Sequence, residues 1–241
     1  MKVCTRHILC VLAVSSFWAL TGCATLQTPV ACNALDPEEY QETHDPLESF
    51  NRDMFEFNES TDKAIYQPVA RTYKAITPDP VETSVSSFYR NLKEPRNIVS
   101  SLLAGRTDIT AESSIRFTMN STLGLLGLID LAGHAGIPYN DYDFGHMLGA
   151  WGVGEGPYVV WPFTGPSNMR DTAGSAIHLQ VTYVEKRIKK SEHQLFVQVG
   201  SAVDSRARLL PFTELLDQQP DPYLFARESY RQARLNTICN P

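Results

Sequence analysis

The stretch from Phe144 to Asp171 constrains the fold of this chain more than any other. It combines six glycines, five of them within residues 145–156, with aromatic residues and three prolines. Glycine permits sharp turns and close backbone approach, whereas proline fixes φ and removes a hydrogen-bond donor. Because the stretch is apolar and aromatic, it is not typical of a flexible linker. It predicts a tightly shaped, largely buried turn-and-strand unit, although a packed connection between helices would use the same residues.

The first 22 residues predict a secretory signal peptide. A short basic start with Lys2 and Arg6 precedes an apolar run from Ile8 to Leu20, which is too short to span a bilayer. The run ends in Leu-Thr-Gly followed by Cys23, which resembles the lipobox of bacterial lipoproteins. This pattern predicts lipidation of Cys23, with a stray cysteine in an ordinary signal peptide as the alternative. Ala24 in the next position favours the outer membrane, on the side facing the periplasm.

The charge balance of the remaining chain is acidic. Residues 1–22 contain two basic residues and no acidic one, so the rest contains 19 basic and 27 acidic residues. This balance argues against nucleic acid as a partner and against electrostatic binding to anionic lipid. We therefore expect membrane attachment through acyl chains and apolar contacts.

Two cysteines remain after the signal peptide and the anchor are set aside, Cys32 and Cys239. They lie near the two ends of the mature chain. In an oxidising periplasm they form a candidate disulfide.

The rest of the sequence predicts one mostly helical domain over residues 45–235, after a polar tether (23–44) and before a short end (236–241). Asp-Pro pairs predict helix starts at residues 45, 79 and 221. We expect a bend at Pro68, a separate helix from Pro95 to Ala104, and a short buried or interfacial helix over 123–131. Further helices are expected from about Asp108, from about Ser167 and over about 192–210, and Tyr158–Val160 gives the main strand signal.

The sequence favours a protein without an active site, a metal ion or a cofactor. The six histidines have no short metal-binding spacing, and neither a phosphate-binding loop nor a G-x-S-x-G elbow is present. Asp141, Asp143 and His146 form a candidate acid–base cluster. A solvated loop is the favoured interpretation of these three residues.

Six collinear blocks resemble the MlaA (VacJ) family of outer-membrane lipoproteins. The resemblance implies a mostly helical single domain of amphipathic helices that forms a ring around a central channel within one membrane leaflet. It also implies removal of phospholipids from the outer leaflet, transfer to a soluble periplasmic lipid carrier, and association with a trimeric outer-membrane porin. The blocks are DPLESFNRDMFEFN (45–58), VSSFYRNLKEP (85–95), RFTMNSTLG (116–124), the stretch 144–171, RARLL (206–210) and DPYLFARESY (221–230).

Two segments are candidate functional sites under this resemblance. The first is a channel wall or gate, for which shaping of the fold alone is the alternative. The second is a membrane-positioning helix, for which packing of an N-terminal helix on the core is the favoured alternative. Two other protein classes also remain open: a structural lipoprotein that scaffolds porins, and a lipid hydrolase. The gate candidates are Phe144, Gly145, Gly149, Trp151, Gly152, Gly154, Gly156, Pro157 and Tyr158, and the positioning candidates are Phe50, Asn51, Phe57 and Asn58.

Overall fold

The computed structural model describes residues 45–188 and 194–239, with side chains for residues 45–179 and 197–239. The signal peptide (1–22), the lipidation site Cys23, the tether (23–44) and Cys32 lie outside the described residues, so what the sequence indicates for them stays a prediction. The described residues form one domain that is mostly helical, which confirms the predicted fold class. Within these residues, no helix has both the length and the apolar character needed to cross a membrane.

The N-terminal helical segment consists of α1 (Glu48–Thr61), a π-helix (Asp62–Tyr66) and α2 (Gln67–Ile76). The predicted N-cap at Asp45 is wrong, because the helix begins at Glu48 after Leu47. The Asp45 carboxylate instead accepts hydrogen bonds from the Leu47 backbone N–H and the Asn51 side chain. Pro68 is the second residue of α2, which continues directly from the π-helix, so the proline has no N–H to close a helical hydrogen bond there. The irregularity predicted at this proline therefore takes the form of a π-helix just before it.

Helix α3 (Asp79–Leu103) is followed by α4 (Thr107–Thr122), and the two pack along each other. The separate helix predicted from Pro95 is wrong, because α3 continues through this residue. A proline inside a helix costs about 3 kcal/mol through a lost hydrogen bond and steric crowding. Buried contacts to α4 offset this cost, including the 2.9 Å hydrogen bond from Arg116 Nε to Glu94 Oε1. As predicted, a glycine ends the helix: Gly105 has φ +76°.

The apolar run after α4 forms turns up to the short helix α5 (Leu131–His134). The short helix predicted over 123–131 is therefore wrong. Leu125 and Leu126 have positive φ values of 53° and 62°, and their side chains are exposed. The tight turn is shaped by Gly127, where an added Cβ would lie 2.5 Å from the Asn91 side chain. Close packing against α3 thus overrides helix formation here.

The glycine-rich stretch forms helix α6 (Phe144–Ala150) and an antiparallel hairpin of β1 (Tyr158–Trp161) and β2 (Gly165–Asn168). Tyr158 pairs with Asn168, and Trp161 pairs with Gly165. The predicted strand at Tyr158–Val160 is confirmed, whereas the start of the stretch is a helix.

The C-terminal part contains α7 (Met169–Ile188), α8 (Gln194–Arg208), α9 (Leu210–Leu216) and α10 (Pro222–Cys239). The helices predicted from about Ser167, over about 192–210 and from the third Asp-Pro pair are confirmed within about two residues at their starts. Cys239 is disulfide-bonded. Its pairing with Cys32 stays a prediction, because Cys32 lies outside the described residues.

Polar side chains fill much of the interior, while many large apolar side chains lie on the outside. Globular proteins usually show the opposite distribution. Helix α3 illustrates the inversion, since the apolar residues Val81, Leu92, Val99, Leu102 and Leu103 are 46–59% exposed. All of its buried residues are polar: Ser86, Ser87, Asn91, Glu94, Asn97, Ser100 and Ser101. The predicted amphipathic helix is therefore present, with its polar face packed inward.

Candidate functional site

The predicted gate segment divides into three parts with different environments. Phe144, Gly145 and Gly149 are buried in α6, residues 151–157 form a mostly exposed loop, and Tyr158 is buried at the start of β1. We call residues 151–157 the glycine loop. The structure thus brings the gate candidates together along one segment, but only the middle part faces outward.

A charged cluster fixes the first part of this segment. Asp143 caps α6 by accepting from the His146 backbone N–H at 2.9 Å. Both Asp143 oxygens also accept from Arg234, at 2.7 and 2.9 Å. An added Cβ at Gly145 would lie 2.4 Å from both Asp171 Oδ1 and Arg234 Nη2. This close approach requires a glycine, so α6 is held rigidly between α7 and α10.

The electrostatics of this cluster favour fixed charges. Burial alone would raise the pKa of Asp143, but hydrogen bonds from His146 and Arg234 more than offset it and hold the pKa well below its usual value. Burial lowers the pKa of His146 from its ordinary 6.5. The neutral imidazole accepts from the Asp143 backbone N–H at 3.2 Å, completing a capping box.

The glycine loop is attached to α3 at one point. Trp151 is 57% exposed, and its indole Nε1 donates to the carbonyl of Leu103 at 2.9 Å. Gly152 has φ +85° and nothing within 4 Å of an added Cβ, so its need for glycine is conformational. Gly154 is equally open but has no positive φ. The two glycines therefore differ in backbone constraint and not in available space.

Two asparagines of α1 hold the β-hairpin along its outer edge. Asn51 donates to the Tyr158 carbonyl at 3.1 Å and accepts from the Val160 N–H at 2.8 Å. Asn58, two turns later, repeats this pattern with the Trp161 carbonyl at 2.9 Å and the Phe163 N–H at 2.7 Å. The positioning candidates thus contact the strand that follows the gate segment.

The two phenylalanines of the positioning candidates point differently from their asparagine neighbours. Phe50 and Phe57 are both exposed. Phe57 also contacts the hairpin turn, with its ring centroid 5.3 Å from that of Phe163. Helix α1 therefore presents an apolar surface next to the hairpin that it holds.

A cavity of about 570 Å³ lies between α1, the π-helix, the hairpin, α8 and α9. We call it the hairpin cavity. Its apolar wall includes Phe55, Val160 and Leu216. Its charged wall includes Asp62, whose carboxylate accepts from Arg206 Nε and Nη2 at 2.6 Å each. The charged groups of this pair are already neutralised, so the cavity offers mainly apolar surface.

A second cavity, of about 670 Å³, is lined by polar and charged residues and one glycine, and we call it the polar cavity. It lies between the first half of α3, the α5 turn and the end of α8. The lining residues are Asp79, Glu82, Thr83, Ser86, Ser87, Arg90, Asp130, Gly133, His134 and Arg208.

A buried ionic network supports one wall of the polar cavity. Arg116 is 2% exposed and binds both Asp130 oxygens at 3.0 Å and the Ile137 carbonyl at 2.6 Å. It also binds Glu94, whose pKa is raised by burial despite this contact. The network ties α3, α4 and α5 together, so the cavity wall is rigid.

The candidate acid–base cluster of Asp141, Asp143 and His146 is divided by these contacts. Asp143 and His146 form the helix cap, while Asp141 lies beside Arg96 and Lys93 at the surface. Among the described side chains, no group of three or more ligating residues could hold a metal ion.

Sequence reasoning missed the polar cavity and the Arg116 network. A signal was available in α3, where Glu82, Ser86 and Arg90 recur every four residues opposite the apolar face. Such a stripe is ordinarily interpreted as a solvated surface. Only the burial pattern of α3, in which polar residues are buried and apolar residues are exposed, shows that this stripe lines a cavity.

Comparisons with known proteins agree with this geometry. A family model described as MlaA lipoprotein matches residues 43–237. The Escherichia coli K12 protein named intermembrane phospholipid transport system lipoprotein MlaA is 34% identical over 220 residues, covering 88% of this chain and 82% of its own length. The Haemophilus influenzae protein of the same name is 32% identical, covering 91% and 86%.

Two further matches extend the comparison. A Rickettsia felis protein described only as uncharacterized is 36% identical over 201 residues, with coverage of 83% of this chain and 80% of that protein. A structure solved to explain maintenance of bacterial outer membrane lipid asymmetry matches with a TM-score of 0.70 and 34% identity. It covers 81% of this chain and 99% of that chain. This match is consistent with a helical ring around a channel.

Proposed function

Because this chain belongs to the MlaA lipoprotein family, we propose that it removes phospholipids from the outer leaflet of the outer membrane and passes them to a soluble periplasmic lipid carrier. The Escherichia coli and Haemophilus influenzae relatives are named as lipoproteins of an intermembrane phospholipid transport system. The proposed activity would maintain the lipid asymmetry of the outer membrane. It requires transport and no covalent chemistry.

The inverted interior carries this proposal. A phospholipid headgroup cannot enter hydrocarbon unpaired without a cost of several kcal/mol or more. The polar cavity offers a headgroup a hydrated or hydrogen-bonding path, while the exposed apolar side chains on the opposite face of α3 suit contact with acyl chains. A protein with polar residues inside and apolar residues outside therefore suits movement of an amphipathic lipid through a leaflet.

We propose that the protein lies in the periplasmic leaflet of the outer membrane, anchored through acyl chains on Cys23. Exposed leucines of the turn after α4, including Leu123, Leu125 and Leu126, would contact acyl chains there. A trimeric porin is proposed as the partner that holds the ring in place. The soluble carrier would receive lipid at the periplasmic side.

The glycine loop is proposed as the gate. Its support is the contrast between buried α6, fixed by Asp143 and Arg234, and exposed residues 151–157 attached through Trp151. We propose that α1 positions this unit in the leaflet through Phe50 and Phe57. Asn51 and Asn58 would transmit that position to the hairpin.

The two alternatives predict different observations. A structural scaffold for porins would leave lipid asymmetry unchanged when the gene is deleted. A phospholipid hydrolase would release fatty acid or headgroup from lipid. The polar cavity favours transport over a scaffold, because a scaffold does not require a polar cavity behind an apolar surface. A hydrolase would in addition need a nucleophile, and the sequence contains no G-x-S-x-G elbow.

The test is the amount of outer-leaflet phospholipid in cells lacking the gene, measured with a membrane-impermeant amine label. We expect an increase that wild type reverses and Cys23→Ala does not. Cys10→Ala is the matched control, because this cysteine lies in the predicted signal peptide, and it should complement fully. No increase in the deletion strain would reject the transport proposal and favour the scaffold.

A further inference from the structure

We propose that the polar cavity binds the headgroup of a zwitterionic phospholipid, with the phosphate at Arg90 and Arg208 and the ammonium group at Asp79 and Glu82. The proposal rests on the transport function proposed above and specifies its substrate class. It concerns one cavity and two pairs of charged side chains that face it.

The first observation is that Arg90 has no acidic partner. It makes no salt bridge within the part of the chain that the structure describes, and its buried Nε has no hydrogen-bond partner there. The guanidinium lies 5.4 Å from the centre of the Tyr139 ring, which orients it by a cation–π contact. Because Arg90 also lines the cavity, a phosphate there would supply the acidic partner that its guanidinium lacks among the described residues.

The second observation is that Arg208 lines the same cavity, where Asp204 holds its guanidinium. Its Nη2 contacts Asp204 Oδ2 at 3.2 Å and Ser205 Oγ at 3.3 Å, while its buried Nε has no partner among the described residues. Phosphate oxygens accept several hydrogen bonds and match the planar geometry of guanidinium groups. Two guanidinium groups on one cavity, of which Arg90 has no acidic partner among the described residues, are therefore a suitable phosphate site.

The third observation concerns the acidic residues of the lining. Asp130 is already bound by Arg116 and Asn120, so its charge is compensated. Asp79 and Glu82 make no salt bridge in the described residues and lie at the other end of the α3 stripe. Glu82 and Arg90 are eight residues apart, which is about 12 Å along a helix axis. Two extended side chains and a headgroup between them span this distance.

The cavity therefore presents charges of both signs in a fixed order, and among the described residues Arg90, Asp79 and Glu82 make no salt bridge. A headgroup with a phosphate and an ammonium group complements both ends. An anionic glycerol headgroup complements only the arginine end and gains nothing from Asp79 and Glu82. This difference predicts a preference for phosphatidylethanolamine over phosphatidylglycerol.

The test is native mass spectrometry of the full-length lipidated protein in detergent, with added phosphatidylethanolamine, phosphatidylglycerol or inorganic phosphate. We expect the wild type to bind phosphatidylethanolamine about tenfold more tightly than phosphatidylglycerol. This ratio is what one additional hydrogen bond to a charged group contributes to binding. Arg90→Gln should weaken binding of phosphatidylethanolamine about tenfold. Glu82→Gln should reduce the preference between the two lipids. Arg71→Gln, at an exposed arginine of α2 outside the cavity, is the matched control and should bind as the wild type does.

Several outcomes would overturn the proposal. Equal binding of the two lipids by the wild type would remove the role of the acidic residues. Unchanged binding in Arg90→Gln would remove the role of Arg90. Full competition by millimolar inorganic phosphate would identify a free-anion site and not a headgroup site. If Arg90→Gln does not fold, Arg90→Lys keeps the charge without the planar fork and should bind with intermediate strength; wild-type binding by this variant would contradict the proposed guanidinium geometry.

These outcomes are separable from failure of the transport function. If deletion of the gene raises outer-leaflet lipid and Arg90→Gln still binds lipid normally, transport stands and the headgroup site is rejected. If deletion has no effect on asymmetry, the transport function fails, whatever the lipid-binding result.

Discussion

Replacing Asn51 by leucine tests how strongly α1 holds the β-hairpin. Asn51 is fully buried, and its side chain pairs with the Tyr158 carbonyl and the Val160 N–H. Leucine is of similar size but forms neither bond, so two buried main-chain groups lose their partners. Each such group costs about 1–3 kcal/mol, so we expect a loss of about 4 kcal/mol. For a protein of this size, that corresponds to a Tm lower by about 8–16 °C.

Asn58→Leu is the matched control, because Asn58 makes the same pair of bonds in an exposed setting. Water can replace the lost side chain there, so we expect a loss of about 1 kcal/mol and a Tm lower by about 2–4 °C. Thermal unfolding of the full-length variants in detergent, followed by tryptophan fluorescence, measures both shifts. Equal shifts for the two variants, or a shift below about 4 °C for Asn51→Leu, would refute the reasoning.

Two further predictions concern the gate and the α6 cap. Gly152→Leu places leucine in a left-handed conformation that costs about 1–2 kcal/mol, so this variant should raise outer-leaflet phospholipid in the amine-label assay. Gly154→Leu is the control and should leave outer-leaflet phospholipid unchanged, because Gly154 has no positive φ. Equal effects of the two substitutions would contradict the argument from backbone conformation. Burial lowers the pKa of His146, so the folded state favours the neutral ring, and stability should be complete above pH 6.5 and decrease as the pH falls below it. Between about pH 7 and pH 5, the Tm of His146→Gln should therefore fall less than the Tm of the wild type. His134→Gln, at an exposed site, is the control and should fall as the wild type does. If the Tm of His146→Gln depends on pH as steeply as that of the wild type, His146 is not the group that causes the loss of stability.

Sequence patterns identified most helices, because Asp-Pro starts and 3.6-residue periodicity depend on local chemistry. Pro95 was misjudged because its local cost is offset by contacts from α4, which are distant in sequence. Leu125 and Leu126 were misjudged because a glycine packed on Asn91 decides the backbone there. In both places a tertiary contact outweighs the local preference.

The candidate site was predictable in part for a related reason. The glycine-rich segment and the two Phe-Asn pairs were identified as candidates, and the structure joins them through Asn51 and Asn58. The polar cavity was missed because periodicity marks a polar face without saying whether water or protein covers it. In α3 the usual assumption fails, since Ser86 is buried and Arg90 lines the polar cavity.

The two asparagines also protect the hairpin from unwanted pairing. A two-stranded sheet is marginal in stability, and its free edges can pair with another chain. Here the side-chain amides of Asn51 and Asn58 occupy donors and acceptors along the outer edge of β1 and the adjoining turn. Side chains of α1 thus make hydrogen bonds along this edge that a third strand would otherwise make. The chain is thereby protected at this edge from self-association into aggregates, a hazard for any protein whose surface is otherwise so apolar.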